Sequence, residues 1–303
     1  MASDHTAQHK HASPVTNINS VFIIGIVLNL LFVVIEVIAG LFSHSLSLLS
    51  DAGHNLADVG TLALSLLAYR LLKVKSTKKY TYGYRKTSVL VALFNAMILL
   101  VSIGAIVYEA AHRFLYPEPI PGNTIALVAA IGILINGITA FLFLREKNKD
   151  INIKSAYLHL MSDALVSMAI VIGGIIIIYT HWYWIDSGLS IIVALVILFT
   201  TWQLLKNALR LSLDGVPENI SLDQIKQTSM KIRGVKEVHH IHIWAISTTE
   251  NAMTAHLVLD QNTSIEQEQS IKHKLKHELE HLNVHHITLE TERENEHCNT
   301  DVC

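Results

Sequence analysis

Long runs of apolar residues dominate the first two thirds of the chain. The stretches 87–108 and 123–144 contain no Asp, Glu, Lys or Arg, and 164–185 is interrupted only by His181. A helix needs about 20 largely apolar residues to cross roughly 30 Å of hydrocarbon. The pattern therefore predicts six membrane-spanning helices, near residues 17–41, 46–72, 86–115, 123–144, 152–180 and 186–208.

After about residue 211 the pattern changes to that of a small soluble domain. The periodicity predicts a helix over 222–232, strands over 235–246 and 252–260, a second helix over 265–282 and a last strand over 286–292. This order favours an α+β layer with the helices on one face of an antiparallel sheet. The predicted organisation is a tail over 1–16, a six-helix membrane domain over 17–210, an α+β domain over 211–293 and a tail over 294–303.

Composition agrees with a membrane protein that carries a soluble domain. Of the 303 residues 51% are hydrophobic and only 16% are charged, whereas an average soluble chain is roughly 25% charged. This balance excludes a disordered chain and an ordinary soluble enzyme. The formal net charge of −2 gives no reason to expect nucleic acid as a partner. The only two cysteines, Cys298 and Cys303, make no disulfide framework.

The predicted connections between spans differ sharply in charge. In the first, third and fifth, together with the span ends beside them, the only lysine or arginine is Arg113. The second and fourth are rich in lysine and arginine: Lys73, Lys75, Lys78, Lys79, Arg85 and Lys86, then Arg145, Lys147, Lys149 and Lys154. The positive-inside rule therefore predicts a multi-pass protein with both termini in the cytosol. We expect the plasma membrane rather than an organelle.

Two predicted spans carry ionisable pairs at the same spacing. His54 and Asp58 are four residues apart in the second span, and so are His159 and Asp163 in the fifth. Residues at i and i+4 share one helical face. A buried Asp costs about 2.5–3.5 kcal/mol on insertion scales, so each must be compensated.

Two explanations of these pairs remain open at this point. Each His can bond its own Asp and help the helices to pack. Alternatively, the two faces meet and place two nitrogens and two oxygens around one point, a shell suited to tetrahedral Zn²⁺. The same shell accepts Co²⁺ and Cd²⁺.

Four motifs carry a resemblance to a known family: SLSLLSDAGHNLADV, YTYGYRK, AYLHLMSDAL and VHHIHIW. Over residues 17–292 the chain resembles the zinc-transporting branch of the cation diffusion facilitators. The resemblance implies a homodimeric antiporter in the lipid bilayer that exports Zn²⁺ from the cytosol in exchange for protons. It also implies a ferredoxin-like, metallochaperone-like cytosolic domain.

Histidines are concentrated in the predicted soluble domain. Strand alternation predicts His239 on one face of its strand and His240 with His242 on the other. By similarity to the zinc-transporting members, a cytosolic zinc site is expected at His239, His256, His285 and Glu292. Glu290, on the same strand face as Glu292, is the alternative acid, and ordinary surface histidines are the alternative to a site. Zn²⁺ is thus expected both as the transported substrate and as a structural or regulatory ligand.

Further histidines and the two cysteines are candidates for secondary sites. His273, His277 and His281 repeat every four residues opposite an apolar stripe, and a solvated helix face explains them. Cysteine thiolates are good Zn²⁺ ligands, so Cys298 and Cys303 are candidates for a metal site in the C-terminal tail. An unstructured tail that captures metal loosely is the other interpretation.

The sequence thus favours a Zn²⁺ efflux transporter that works by alternating access. The alternative from a different class is a membrane-bound zinc sensor or sequestering protein, in which the cytosolic histidines are the functional element. A membrane metalloenzyme is disfavoured because four protein ligands leave no open position for water. We therefore predict that the protein is not an enzyme.

Overall fold

A computed structural model describes residues 18–42, 46–116, 122–180 and 184–294. Six long helices come first: α1 (Ile18–Phe42), α2 (Leu46–Leu71), α3 (Thr87–Leu115), α4 (Gly122–Leu144), α5 (Ile151–Thr180) and α6 (Trp184–Ser212). A smaller set of elements follows: α7 (Leu222–Met230), β1 (Val235–Ala245), β2 (Asn251–Leu259), α8 (Ile265–Glu280) and β3 (His286–Arg293). The apolar runs predicted the bounds of the six long helices closely. The largest difference is at the end of α6, which continues to Ser212.

Two of these helices pass a test of length and apolarity for crossing a bilayer. Within the described residues they are α1 over Ile18–Phe42 and the part of α3 over Thr87–His112. A shorter apolar stretch, Ala130–Leu144, lies within α4. Polar residues such as Asp58 and Arg70 lower the apolarity of α2.

The six helices form one bundle whose pairs pack along their lengths. α1 packs on α2, α3 on α6 and α4 on α5, and contacts of α5 with α6 and with α2 join the three pairs. Phe22 and Phe143 meet edge to face in the bundle, with ring centroids 5.0 Å apart. Leu62, Ile153 and Leu160 are fully buried beside them. This core fixes α2 against α5, the contact on which the candidate site depends.

The C-terminal domain has a three-stranded sheet in the order β1-β2-β3. β1 and β2 are antiparallel, whereas β2 and β3 are parallel. The expected antiparallel sheet is therefore wrong, and the sheet is mixed. The reason is that α8 connects β2 to β3 as a crossover, which returns the chain to the same end of the sheet before β3 begins.

Residues from both helices and all three strands make the core of this domain. Ile225, Met253, Leu257, Leu275 and Leu279 are fully buried there. Ser264 caps α8 with a reciprocal capping box to Gln267. Gly234 enters β1 with a φ of 98°.

β1 contains an irregularity that matters for the candidate chemistry. The pairing register with β2 shifts between His239 and His242. Within this bulge His240 has a φ of 47°, in the left-handed region that non-glycine residues seldom occupy. A bulge breaks the alternation of side chains along a strand.

Polar contacts join the bundle to the C-terminal domain. Lys86, just before α3, donates from Nζ to Leu211 O at 2.9 Å, to Ala245 O at 3.1 Å and to Asp214 Oδ1 at 2.6 Å. Arg85 pairs with Glu250 in the turn between β1 and β2. The same turn reaches the start of α5, which carries two of the candidate metal ligands.

Candidate metal centre

Three of the four residues expected in the membrane site meet between α2 and α5. Nε2 of His159 lies 2.6 Å from Oδ1 of Asp58 and 3.7 Å from Oδ2 of Asp163. One ligand atom from each of the three residues lies within 4.8 Å of the others. The side chains of His159 and Asp58 are 4% and 2% exposed. Two carboxylates and an imidazole are thus gathered at one buried point.

Helix geometry and small residues produce this arrangement. His159 and Asp163 are one turn apart on α5, so they share a face. Ala156 and Ala164 are buried on α5, and small side chains let neighbouring helices approach closely. His159 lies closer to Asp58 on the other helix than to Asp163 on its own. The structure therefore brings the face of α5 that carries His159 and Asp163 against Asp58 of α2.

The fourth expected ligand, His54, belongs to α2, but its side chain lies outside the described residues. Its position one turn before Asp58 follows from the helix. The described part of the site already has the donor set that Zn²⁺ accepts, which is imidazole nitrogen and carboxylate oxygen. Two carboxylates buried together repel each other, and a divalent cation between them removes that repulsion.

A further buried acid in the bundle has a different partner. Glu36 of α1 is 1% exposed, and both its carboxylate oxygens accept from Nδ2 of Asn55, at 2.9 and 2.8 Å. This contact fastens α1 to α2. Glu36 is not among the residues that gather at Asp58.

A second cluster lies on the sheet of the C-terminal domain. One nitrogen from each of His239, His240 and His256 lies within 4.8 Å of the others. Glu292 of β3 lies beside them, with Oε2 3.4 Å from Nε2 of His239 and Oε1 in contact with Nδ1 of His256. Glu290 Oε2 lies 3.6 Å from Nε2 of His256. Borderline-soft metal ions favour such a collection of imidazoles with a carboxylate.

His240 is the member of this cluster that sequence reasoning missed. Alternation placed it opposite His239, but the bulge brings the two rings to 5.1 Å and the His240 ring to 4.8 Å from that of His256. His242, beyond the bulge, is exposed and pairs with Thr254. The strand pattern alone contains no signal for a positive φ at His240.

The structure does not bring His285 to this cluster. His256 stands opposite Glu290 in the parallel register, whereas His286 stands opposite Ala252. At about 3.3 Å per residue, His285 is therefore roughly 16 Å along the strands from His256. Its backbone amide donates to Asn251 O at 3.0 Å.

The remaining expected sites divide into an exposed stripe and the tail. His273, His277 and His281 are exposed along α8, and the rings of the last two are 4.8 Å apart. Cys298 and Cys303 lie outside the described residues, so their expected tail site stays a prediction.

Comparison with known proteins matches both parts of the chain. Residues 22–211 match the family model of the cation efflux transmembrane domain, and residues 217–294 match that of the cation efflux protein cytoplasmic domain. A cadmium, cobalt and zinc/H(+)-K(+) antiporter of Bacillus subtilis is 34% identical over 90% of this chain and 88% of its own. The metal cation efflux system protein CzcD of Cupriavidus metallidurans is 35% identical over 94% of this chain and 90% of its own. The zinc transporter ZitB of Escherichia coli is 34% identical over 86% of this chain and 83% of its own.

Proposed function

Because the chain belongs to the cation efflux family, we propose that it exports Zn²⁺ from the cytosol in exchange for protons. The observation that carries the proposal is the buried meeting of Asp58, His159 and Asp163 between α2 and α5. Relatives that align with most of the chain are named as a cadmium, cobalt and zinc/H(+)-K(+) antiporter, a metal cation efflux system protein and a zinc transporter. Cd²⁺ and Co²⁺ are the competing substrates on the same chemistry.

The proposed transport site consists of His54, Asp58, His159 and Asp163. The two carboxylates balance the charge of a divalent ion, and the imidazoles favour Zn²⁺ over Mg²⁺, which prefers oxygen ligands. Metal ligands must be deprotonated to bind. Protons that arrive from outside therefore compete for the same atoms and release the ion. No covalent step is involved.

The proposed membrane arrangement places all six long helices across the bilayer, with both termini and the C-terminal domain in the cytosol. The basic connections before α3 and before α5 support this orientation. We propose residues 17–210 as the membrane domain and 211–293 as the cytosolic domain, with short tails at either end. The cytosolic domain would join two copies as a homodimer in the plasma membrane.

A cytosolic metal site is proposed at His239, His240, His256 and Glu292. The distances among these side chains support it. A site on the cytosolic domain would respond to the zinc concentration in the compartment from which the ion is removed. Zn²⁺ is therefore proposed as a regulatory ligand as well as a substrate.

The test uses full-length protein in proteoliposomes with a zinc dye and a pH dye inside. Asp163→Ala should reduce zinc influx to the level of empty vesicles and abolish the coupled proton movement. Glu36→Gln is the matched control, because it changes a buried acid that lies outside the site. Full zinc flux in a folded Asp163→Ala protein would contradict the proposal.

The second candidate is a membrane-bound zinc sensor, which the cytosolic histidine cluster favours. A sensor binds Zn²⁺ at His239, His240 and His256 but moves neither zinc nor protons across the vesicle. The same flux measurement on the unmodified protein separates the two functions.

A further inference from the structure

A small cavity adjoins the candidate transport site on the side of the N-terminal end of α5. It has a volume of about 10 Å³ and is bordered by His159. Polar side chains from three helices line it: Thr61 and Ser65 from α2, Asn95 from α3 and Ser155 from α5. Leu99 and Ala156 complete the lining. The cavity therefore connects α3 to a site that α2 and α5 otherwise build.

Asn95 has an incomplete set of hydrogen bonds. Its side chain is 3% exposed, and Nδ2 donates to Ser65 Oγ at 2.7 Å. Oδ1 is buried and has no hydrogen-bond partner within the part of the chain that the structure describes. Buried polar atoms normally have a partner in protein or in ordered water. An acceptor that borders a polar cavity is thus suited to a bound molecule that donates hydrogen bonds.

We propose that one ordered water molecule occupies this cavity and bridges Asn95 Oδ1 to His159. A volume near 10–15 Å³ holds one water, and a buried water typically makes two to four hydrogen bonds. None of the described lining residues carries a carboxylate, so a cation placed here would have only neutral groups to coordinate it. Water is the occupant that fits both the size and the neutral polar lining.

The water would act on the metal site by orienting a ligand. Nε2 of His159 faces Asp58 and Asp163, so Nδ1 is the nitrogen left for the water. A ligating histidine usually gives its second nitrogen to a carboxylate, carbonyl or water, which fixes the ring. Asn95 is then a positioning residue of the site. This part of the inference rests on the proposed function.

The first experiment observes the water directly in full-length protein reconstituted in nanodiscs without added metal. A map at high resolution should contain a peak within about 3.2 Å of Asn95 Oδ1 and within hydrogen-bond distance of His159. A cavity without density would overturn the proposal. This result does not depend on transport, so it stands even if Asp163→Ala retains flux and the proposed function fails.

The second experiment measures zinc flux as a function of zinc concentration in proteoliposomes. Asn95→Leu should raise the half-saturating zinc concentration about tenfold, while the maximal flux changes less. Tenfold is the lower end of the loss in metal affinity seen when a residue that orients a metal ligand is substituted. Ser155→Val fills the cavity while Asn95 stays in place, and it should have the same effect. It also keeps the test decisive if Asn95→Leu fails to fold.

Asn136→Leu is the matched control. Asn136 is 2% exposed on α4, and its Oδ1 also has no partner among the described residues, but it does not line the cavity. The half-saturating zinc concentration of Asn136→Leu should stay within about twofold of the wild-type value. If folded Asn95→Leu and Ser155→Val proteins also stay within that range, or if Asn136→Leu matches their tenfold rise, Asn95 does not position His159 through a water.

Discussion

Asp58 on α2 and His159 on α5 lie 2.6 Å apart, and both side chains are almost fully buried. The contact joins two helices that are distant in the chain, and it gives two buried polar side chains a partner inside an apolar bundle. In the proposed transport site, this carboxylate and this imidazole supply one half of the metal shell. The first prediction therefore tests whether zinc binding needs the negative charge of Asp58.

Asp58→Asn keeps the size of the side chain and removes its negative charge. We expect the apparent zinc affinity to fall about 100-fold or more. Substituting a residue that only hydrogen-bonds to a metal ligand costs about 10- to 100-fold in affinity, and here a ligand itself is altered. The measurement is zinc flux against concentration in proteoliposomes. Ser162→Ala serves as the control, since its hydroxyl bonds to Leu158 O within α5. If the half-saturating zinc concentration of Asp58→Asn equals that of the wild type, Asp58 is not a ligand of the transported ion.

Helix positions could be predicted from the sequence because they follow from local apolarity. The bounds of α2 and α5 came from runs of apolar residues, and the spacing of His159 and Asp163 follows from the helical repeat. The meeting of α2 with α5 was predicted only through the repeated His-Asp spacing. The sequence of one helix does not otherwise show which helix it packs against.

The sheet was harder to predict because strand pairing is not local. β3 runs parallel to β2, and its register brings Glu292 to the cluster but leaves His285, the other residue expected there, at the far end of the strands. Alternation failed at His240 because one residue with a positive φ reverses the side of the strand. Both errors concern relationships between strands, which the pattern within one strand does not contain.

His240→Ala should weaken the cytosolic metal site. We expect zinc binding at least tenfold weaker, because a third nitrogen ligand is lost from the cluster with His239 and His256. The measurement is competition with a zinc chelator, on a full-length background that carries Asp163→Ala to remove the transport site. His242→Ala and His285→Ala are the controls, and both should bind as the background protein does. If the His240→Ala protein binds zinc as tightly as the background protein, His240 is not a ligand of the cytosolic site.

The turn between β1 and β2 stabilises the junction of the two domains. Thr248 donates from its amide to Ser88 Oγ at 3.1 Å, and its hydroxyl donates to Asp150, whose other oxygen accepts from Asn152 N at 2.6 Å. Thr248→Val keeps the shape and leaves a buried carboxylate oxygen without this donor. We expect a loss of about 1–3 kcal/mol in the free energy of unfolding.

Chemical unfolding of the full chain measures that loss. Thr249→Val is the matched control, because Thr249 is its exposed neighbour. Surface substitutions of this kind usually change stability by no more than about 0.5 kcal/mol. Equal stability of the two variants would mean that the hydroxyl of Thr248 contributes nothing to the junction.

Glu268 makes the packing of α8 on β3 sensitive to acid. Its Oε1 accepts from Lys272 Nζ and from Thr291 Oγ1, each at 2.7 Å, and Arg293 lies beside its other oxygen. The hydrogen bond from Lys272, followed by that from Thr291, lowers the pKa of Glu268 below its ordinary value of 4.5. A carboxyl with a lower pKa when folded stabilises the fold above its unfolded pKa. That stabilisation is lost as the pH falls through the folded value.

We therefore expect hydrogen exchange in α8 and β3 of the full chain to accelerate as the pH falls below about 4.5, after correction for the intrinsic exchange rate. Glu268→Gln should exchange faster at neutral pH and respond less to acid, because glutamine cannot gain a proton in this range. Glu278→Gln, an exposed position on the same helix, should behave as the wild type. If hydrogen exchange in Glu268→Gln accelerates at low pH as much as in the wild type, another group causes the pH dependence. The contacts of Glu268 with Lys272 and Thr291 would then contribute nothing to it.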